Sequence, residues 1–200
     1  MEKEIDFCHC TGWRDQSVKP EGVVCPPCSL KYPEPPNKVD TLFLAWNPPG
    51  EKHFWNSEGD RLRKNLKWVL CKLRWMTEPN LIEKFLERGC YLVHAVRCWP
   101  YAGWPPDKAI NTCARALLAR DLKQLRPKTL CILGQIPHIA AKAVIPRLPP
   151  PSQRFRYGRG WCKGINGLKV IITTFPNTRW NRGEMKSNRE CTLSALRQWL

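Results

Sequence analysis

The sequence predicts an α/β fold: a single domain over residues 1–200, with a central, mainly parallel sheet of four strands and helices on its faces. Four short apolar runs have the length of buried strands, and segments with a helical spacing of apolar residues separate them. This alternation favours parallel strands, because each helix returns the chain to the same edge of the sheet. Residues 1–36 are rich in Cys and Pro and lack periodicity, which indicates an irregular leader.

The first half of the chain contains two predicted strands and one predicted helix. Residues 41–46 are an apolar run that ends at the loop-forming sequence Asn47-Pro-Pro-Gly50. Residues 60–73 place leucines and a valine on one helical face and basic residues on the other, which predicts an amphipathic helix. Residues 91–96 are the second strand.

The middle of the chain continues the alternation. A helix is expected to begin at Pro106-Asp107, since both residue types are favoured in a first helical turn. Residues 129–133 are the third strand, closed by Gly134 and followed by a short helix over residues 139–144.

The last part of the chain completes the predicted sheet. Residues 146–167 are interpreted as a long loop, residues 169–174 as the fourth strand and residues 191–200 as a closing helix. Ligands of parallel sheets bind at the carboxyl ends of the strands. The predicted site therefore lies at residues 47–50, 94–98, 134 and 175–177.

The charge and composition of the chain indicate the class of molecule that it binds. It has 33 Lys and Arg against 17 Asp and Glu, a formal net charge of +16, with 42% hydrophobic residues. That apolar fraction excludes a disordered basic tail, and the apolar runs are far shorter than a membrane span. Basic and aromatic residues alternate over 61–68, 154–161 and 179–182, a pattern suited to phosphates beside unstacked bases, although one such segment alone could serve solubility. We expect a soluble monomer that binds nucleic acid and not membranes.

Four of the eleven cysteines have the spacing of a metal site. The charged N-terminus carries no secretory signal, so we expect a cytoplasmic, reducing location that favours metal or cluster ligation over disulfides. The chelating pair Cys25 and Cys28, with the single residues Cys98 and Cys113, can close a four-thiolate site for Zn or an iron–sulfur cluster. Alternatively, the two single cysteines are core residues and the pair forms a zinc knuckle with residues 8–10.

An ordered series of motifs from residue 25 to about residue 185 resembles the uracil-DNA glycosylase superfamily, specifically its iron–sulfur families 4 and 5, and family 5 most. The matching segments are Asn47-Pro-Pro-Gly50, Phe54 with Gly59-Asp60, His94-Ala-Val-Arg-Cys98, Cys113-Ala-Arg-Ala-Leu-Leu, Leu125-Arg-Pro-Lys128, Leu133-Gly134 and Phe175-Pro-Asn-Thr-Arg179. The resemblance implies a three-layer sandwich. It also implies a structural 4Fe-4S cluster on the four cysteines above, which ties down the leader, with Zn as the less favoured occupant.

The resemblance implies the activity as well. The protein would be a monofunctional DNA glycosylase that flips a deaminated or modified base, uracil or a related one, out of single- or double-stranded DNA. It would hydrolyse the N-glycosidic bond and leave an abasic site, as in DNA repair. The alternatives are a glycosylase for a hypermodified pyrimidine, as in defence against phage DNA, and a cluster-bearing nucleic-acid-binding protein of the same fold without chemistry.

The resemblance also implies site residues. Catalysis is assigned to Asn47, which would place the attacking water. Asp60 is the alternative for water activation, although it could instead be a helix N-cap, and Glu51, one residue past the first loop, is a weaker third candidate. Base binding is assigned to Phe54 as the stacking ring, with Trp55 a close second and a core aromatic as the other interpretation, and to His94 and Asn177. DNA binding is assigned to Pro49, Gly50, Arg179 and Arg182.

Three positions depart from the family pattern. Asn47 stands where the iron–sulfur families usually have Ala. His94 replaces an Asn that reads the base edge in uracil-selective families, and Phe175 replaces a His of the second active-site loop. A neutral imidazole cannot copy the fork of an amide, so we expect weaker selectivity for uracil.

Overall fold

The computed structural model describes residues 32–46, 52–75, 80–97, 110, 111, 113–151, 157–177, 179–181 and 186–200. Five strands form the central sheet: β1 (Thr41–Ala45), β2 (Cys90–His94), β3 (Thr129–Leu133), β4 (Trp161–Ile165) and β5 (Leu168–Thr173). Their order is β2-β1-β3-β5-β4, and every neighbouring pair is parallel except β4 with β5. The predicted α/β class and mainly parallel sheet are confirmed.

Five α-helices accompany the sheet in the described part of the chain. They are α1 (Arg61–Lys72), α2 (Leu81–Glu87), α3 (Ala119–Leu125), α4 (Gln135–Val144) and α5 (Asn188–Trp199), and a π-helical turn over Ala114–Leu118 leads into α3. Two further short strands, β6 (Trp180–Asn181) and β7 (Lys186–Ser187), pair antiparallel before α5. None of these helices is both long and apolar enough to cross a bilayer.

The helix ends follow from their capping residues. The side chain of Asp60 accepts a hydrogen bond from the backbone of Arg63 and begins α1. Ser187 and Glu190 bond reciprocally in a capping box at the start of α5. The start expected at residues 106–107 lies outside the described residues, whereas Ile110 and Cys113 are helical as predicted.

The core lies on both faces of the three central strands. Every residue of β1 and β3 is buried, as parallel strands with helices on both faces require. From α2, Phe85 packs its ring against Phe43 of β1 and against Phe54, with ring centroids 5.4 Å apart in both cases. Since α2 was not among the predicted elements, this aromatic contact is a feature that the sequence pattern did not indicate.

The prediction of four strands and of a loop over residues 146–167 is wrong for residues 161–165, which form β4. They pair with β5 through a two-residue turn in which Asn166 and Gly167 both have positive φ, +50° and +81°. An Asn-Gly dipeptide is the strongest short-range signal for such a hairpin. The strand itself was hard to recognise because it is a half-exposed edge strand with glycine at position 164.

Candidate active site

Four strands end at one edge of the sheet, where the sequence predicts the site. The parallel register sets Ala45 at the end of β1 opposite His94 at the end of β2, and Leu133 at the end of β3 opposite Thr173 at the end of β5. The residues that follow these strands are therefore neighbours, although they are up to about 130 positions apart in the sequence.

The two ends of the first predicted loop both lie beside the end of β2. On one side, the carbonyl oxygen of Trp46 accepts a hydrogen bond from the backbone of Val96, at 3.3 Å. On the other side, the ring of His53 meets the ring of His94 edge-on, with centroids 6.4 Å apart. The loop residues Asn47, Pro49 and Gly50, to which catalysis and DNA binding are assigned, lie outside the described residues.

His94 is an almost fully buried imidazole at this edge. It is 4% exposed, and its Nδ1 lies 2.9 Å from the hydroxyl oxygen of Tyr32. Burial lowers the pKa of His94 to about 3, and the nearby His53 and Arg97 act in the same direction. The imidazole is therefore neutral near pH 7, with one nitrogen that donates and one that accepts.

A buried ion pair stands behind His94. Arg97 bonds to Asp121 of α3, and each side chain is only 10% exposed. The guanidinium of Arg97 also lies over the ring of Tyr32, 5.1 Å from its centroid. Burial raises the pKa of Asp121, and the charge of Arg97 opposes that rise.

Sequence reasoning missed this group of residues. His53, Tyr32 and Asp121 were not among the predicted site residues, and Arg97 entered only as part of a motif. One signal was present: in a strongly basic chain, the acidic Asp121 falls on the helical face that carries the apolar residues at positions 110, 113, 114, 117 and 118. A buried acid of this kind needs a cationic partner, but the sequence does not say which of 33 basic residues supplies it.

Phe54 and Trp55 belong to the aromatic core that packs against α2 and β2. Phe54 is 0% exposed and meets Trp55 edge-on at 4.9 Å. The indole nitrogen of Trp55 donates to the carbonyl oxygen of Leu92 in β2, at 3.1 Å. Both rings are core aromatics in the structure, and a base can stack on Phe54 only if a neighbouring group moves off its face. The stacking role remains a prediction.

Asp60 is the N-cap of α1. Its Oδ1 accepts from the backbone nitrogen of Arg63 at 2.8 Å, and the residue is 6% exposed. Burial raises the pKa of this carboxyl, and the backbone hydrogen bonds of the cap oppose the rise. The N-cap interpretation is confirmed, while water activation by Asp60 remains a prediction.

The second predicted loop is held by its own polar groups. The side-chain oxygen of Asn177 accepts from the backbone of Arg179 at 2.8 Å and from the side chain of Asn188 at 3.1 Å. Phe175 lies against Gly134, where an added Cβ would stand 3.3 Å from the Cβ of Phe175. Arg179 is exposed, and Arg182 lies outside the described residues. The loop after β5 is thus packed against the end of β3.

One of the four predicted cluster ligands is described. Cys113 is 1% exposed and precedes the π-helical turn, whereas Cys25, Cys28 and Cys98 lie outside the described residues. Within the described ranges, no three His, Cys, Asp or Glu side chains are arranged to hold a metal ion. The cluster remains a prediction.

Helices α1 and α5 carry part of the basic charge of the chain. Arg61 and Lys64 of α1 are exposed, and the guanidinium of Arg189 from α5 lies 4.3 Å from the ring centroid of Trp68. The first of the three basic and aromatic segments, residues 61–68, thus lies on α1 and contacts α5 through Trp68 and Arg189. Residues 154–156 and 182 of the other two segments lie outside the described residues.

Comparison with known proteins places the chain in a family. The family model described as the Uracil DNA glycosylase superfamily matches residues 35–198 of the 200-residue chain. A comparison with curated proteins found no match. The family match covers every strand and helix given above except the last residue of α5.

Proposed function

The chain belongs to the uracil-DNA glycosylase superfamily, and from that premise we propose that it flips a deaminated or modified base out of DNA and hydrolyses the N-glycosidic bond of that nucleotide. Membership supports a DNA glycosylase-type function and DNA as the partner. The monofunctional reaction, the choice of base and the residue roles belong to the proposal.

One observation carries the proposal. The ends of β2, β1, β3 and β5 meet at one edge, where His94 and His53 lie beside the first loop and Asn177 and Arg179 lie on the second. A flipped nucleotide needs polar groups at the edge of its base and basic loops on its backbone phosphates. The residues collected at this edge are of the types that both needs call for, and this supports the proposal.

The chemistry asks for two kinds of group. Cleavage of the bond develops positive charge on the sugar and negative charge on the departing base. Asn47 would orient a water toward the anomeric carbon, and a neutral imidazole donor such as His94 would hydrogen-bond the base as its charge develops. His94 suits this role because its burial keeps it neutral.

The proposal includes a structural 4Fe-4S cluster on Cys25, Cys28, Cys98 and Cys113, with Zn as the less favoured occupant. Two contacts support this ligand set. Arg97, the neighbour of Cys98, pairs with Asp121, which lies about two helical turns after Cys113. Tyr32, four positions after Cys28, packs on the same Arg97. Such a cluster would fasten the leader to the sheet, and the contact between Tyr32 and Arg97 supports that use.

A panel of oligonucleotides tests the activity. Duplexes and single strands that carry uracil, hypoxanthine, xanthine or a hypermodified pyrimidine are incubated with the protein, then treated with alkali to cleave abasic sites. Cleavage at the modified position that is lost in Asn47→Ala supports the proposal. Salt-dependent DNA binding without an abasic product on any substrate would overturn the proposal in favour of a DNA-binding protein of the same fold. The complete burial of the Phe54 ring is the observation that favours this alternative.

A further inference from the structure

The hydrogen bond between Tyr32 and His94 joins the end of the leader to the candidate active site. The two residues are 62 positions apart, and the hydroxyl oxygen of Tyr32 lies 2.9 Å from Nδ1 of His94. The Tyr32 ring is held from its other side by the guanidinium of Arg97, 5.1 Å from the ring centroid. The phenol is therefore placed by two independent contacts.

The direction of this hydrogen bond follows from the protonation of the two groups. Burial keeps His94 neutral, so only one of its ring nitrogens carries a proton. Burial also raises the pKa of the Tyr32 hydroxyl, an effect that Arg97 and the backbone of His94 offset only in part, so the hydroxyl keeps its proton. In the described part of the chain, Nδ1 of His94 is the acceptor within reach of that proton. A proton on Nδ1 would leave the buried hydroxyl proton of Tyr32 without an acceptor among the described residues. The favoured arrangement therefore has Tyr32 donating to Nδ1 and the imidazole proton on Nε2.

A second pair in the same molecule has the same arrangement. The hydroxyl of Tyr157 lies 3.0 Å from Nδ1 of His138, and Nε2 of His138 lies 3.0 Å from the carbonyl oxygen of Pro149. A carbonyl only accepts, so Nε2 of His138 carries the proton and Tyr157 donates to Nδ1. This pair joins α4 to the segment before β4, and it provides an internal reference for the Tyr32 pair.

We propose that Tyr32 is a positioning residue that fixes His94 in the Nε2–H tautomer, so that His94 offers the base a hydrogen-bond donor and favours a keto group over an amino group. The inference rests on the proposed function and deepens it by narrowing its substrate class to deaminated bases. Hydrolytic deamination replaces an exocyclic amino group with a keto oxygen. A lone donor can bond the keto oxygen of the lesion, whereas it faces another donor in the undamaged base.

The size of this preference follows from the cost of an unmade hydrogen bond. A buried donor left without an acceptor costs enough to change binding roughly 10- to 100-fold. The opposite tautomer would present an acceptor from Nε2 and reverse the preference. His94 has only one donor, and the nitrogen that carries it depends on Tyr32. The choice between keto and amino groups therefore depends on Tyr32, whereas the donor and acceptor of an asparagine amide are fixed.

The first test reads the tautomer without DNA. The chain has four histidines, so spectra of the protein labelled with ¹⁵N-histidine can be assigned with a His94→Asn variant. We expect a protonated Nε2 and an unprotonated Nδ1 for His94 in the wild type, and a mixture of tautomers in Tyr32→Phe, which keeps the ring under Arg97. The control Tyr157→Phe should leave His138 protonated at Nε2, because Pro149 still accepts from it. A wild-type His94 protonated at Nδ1, or a Tyr32→Phe spectrum unchanged at His94, overturns the proposal.

The second test measures selectivity. Binding is compared for DNA that carries non-cleavable 2′-fluoroarabino nucleotides with either uracil or cytosine. The uracil preference should fall about 10-fold or more in Tyr32→Phe. Tyr157 lies in a segment predicted to bind DNA, so Tyr157→Phe should change the affinity for the two DNAs by the same factor and leave their ratio as in the wild type. A preference equal to that of the wild type in Tyr32→Phe overturns the proposed selection even if the tautomer is as expected. A protein with the expected tautomer but no abasic product on any substrate would contradict the proposed glycosylase function and not the tautomer, so the two failures are distinguishable.

Discussion

The guanidinium of Arg97 pairs with the carboxylate of Asp121, with both side chains 10% exposed, and the same guanidinium covers the ring of Tyr32. This contact joins the end of β2, helix α3 and the end of the leader. Tyr32, which hydrogen-bonds to His94, is therefore held in place by the ion pair of Arg97 and Asp121. Stability and site geometry are linked at Arg97.

Removal of one partner of this pair should be costly. In Asp121→Leu, Arg97 would stay buried without its counter-charge, and we expect a loss of about 3–5 kcal/mol in the free energy of unfolding. The double variant Arg97→Met with Asp121→Leu should recover most of that loss, because no buried charge remains. Urea unfolding followed by circular dichroism measures both, and equal losses in the single and double variants would contradict this account.

Acid should destabilise the fold through buried neutral histidines. Burial lowers the pKa of His138 to about 4, and Lys142 acts in the same direction, whereas an unfolded histidine titrates near 6.5. Below pH 6.5 the unfolded chain binds a proton that the folded chain does not, so stability is lost as the pH falls from about 6.5 to 4 and is constant above that window.

The size of this effect can be isolated with one variant. Between pH 7 and pH 5, His138 should account for roughly 1–2 kcal/mol of lost unfolding free energy. Urea unfolding at the two pH values, in the wild type and in His138→Gln, measures the difference. A pH dependence of the same size in both proteins would show that His138 does not contribute.

The predicted cluster can be tested at Cys113. Protein purified without oxygen should be brown, and Cys113→Ala should lose iron and fold poorly. Cys131→Ala is the matched control: Cys131 is equally buried, at 0% exposed in β3, but is not among the predicted ligands. We expect it to retain full iron content and lose about 1 kcal/mol of stability from packing alone. Protein that is purified without oxygen and contains zinc but no iron would contradict the iron–sulfur cluster and identify zinc as the occupant of the site.

The two candidates for water activation can be separated by substitutions that respect the helix cap. Asp60→Ser should keep the N-cap of α1, since serine caps as well as aspartate, while it removes the carboxylate. We expect near wild-type turnover in Asp60→Ser and a fall of about 10²–10⁴-fold in Asn47→Ala. Single-turnover cleavage of a lesion-bearing duplex measures both. Loss of turnover in Asp60→Ser with unchanged stability would transfer the catalytic role to Asp60.

Gly134 should matter for the second loop. Its φ is +100°, and a Cβ there would stand 3.3 Å from the Cβ of Phe175. We expect Gly134→Ala to cost about 1–3 kcal/mol of stability and to shift the loop that carries Asn177, with weaker DNA binding as the result. Gly164→Ala is the control, because an added Cβ there meets nothing within 4 Å. Equal effects at the two glycines would contradict the role of the Phe175 contact.

Local patterns predicted most of the sheet. The four apolar runs became β1, β2, β3 and β5, because strands buried on both faces read as continuous apolar segments. The amphipathic spacing after Asp60 became α1 with that residue as its cap. The edge strand β4 was missed, since a half-exposed strand lacks such a run, although Asn166-Gly167 marked its turn.

The sequence by itself determined the fold class, the mainly parallel sheet, the residues at which the strands end and the family motifs, because these depend on residue periodicity and local chain chemistry. The tertiary structure decided which buried groups meet. It enclosed Phe54 in the core, set Tyr32 against His94 across 62 positions, and chose Asp121 as the partner of Arg97. Such contacts depend on how helices and strands pack in space. The spacing of residues along the chain does not indicate which distant residues will be close together in the folded protein.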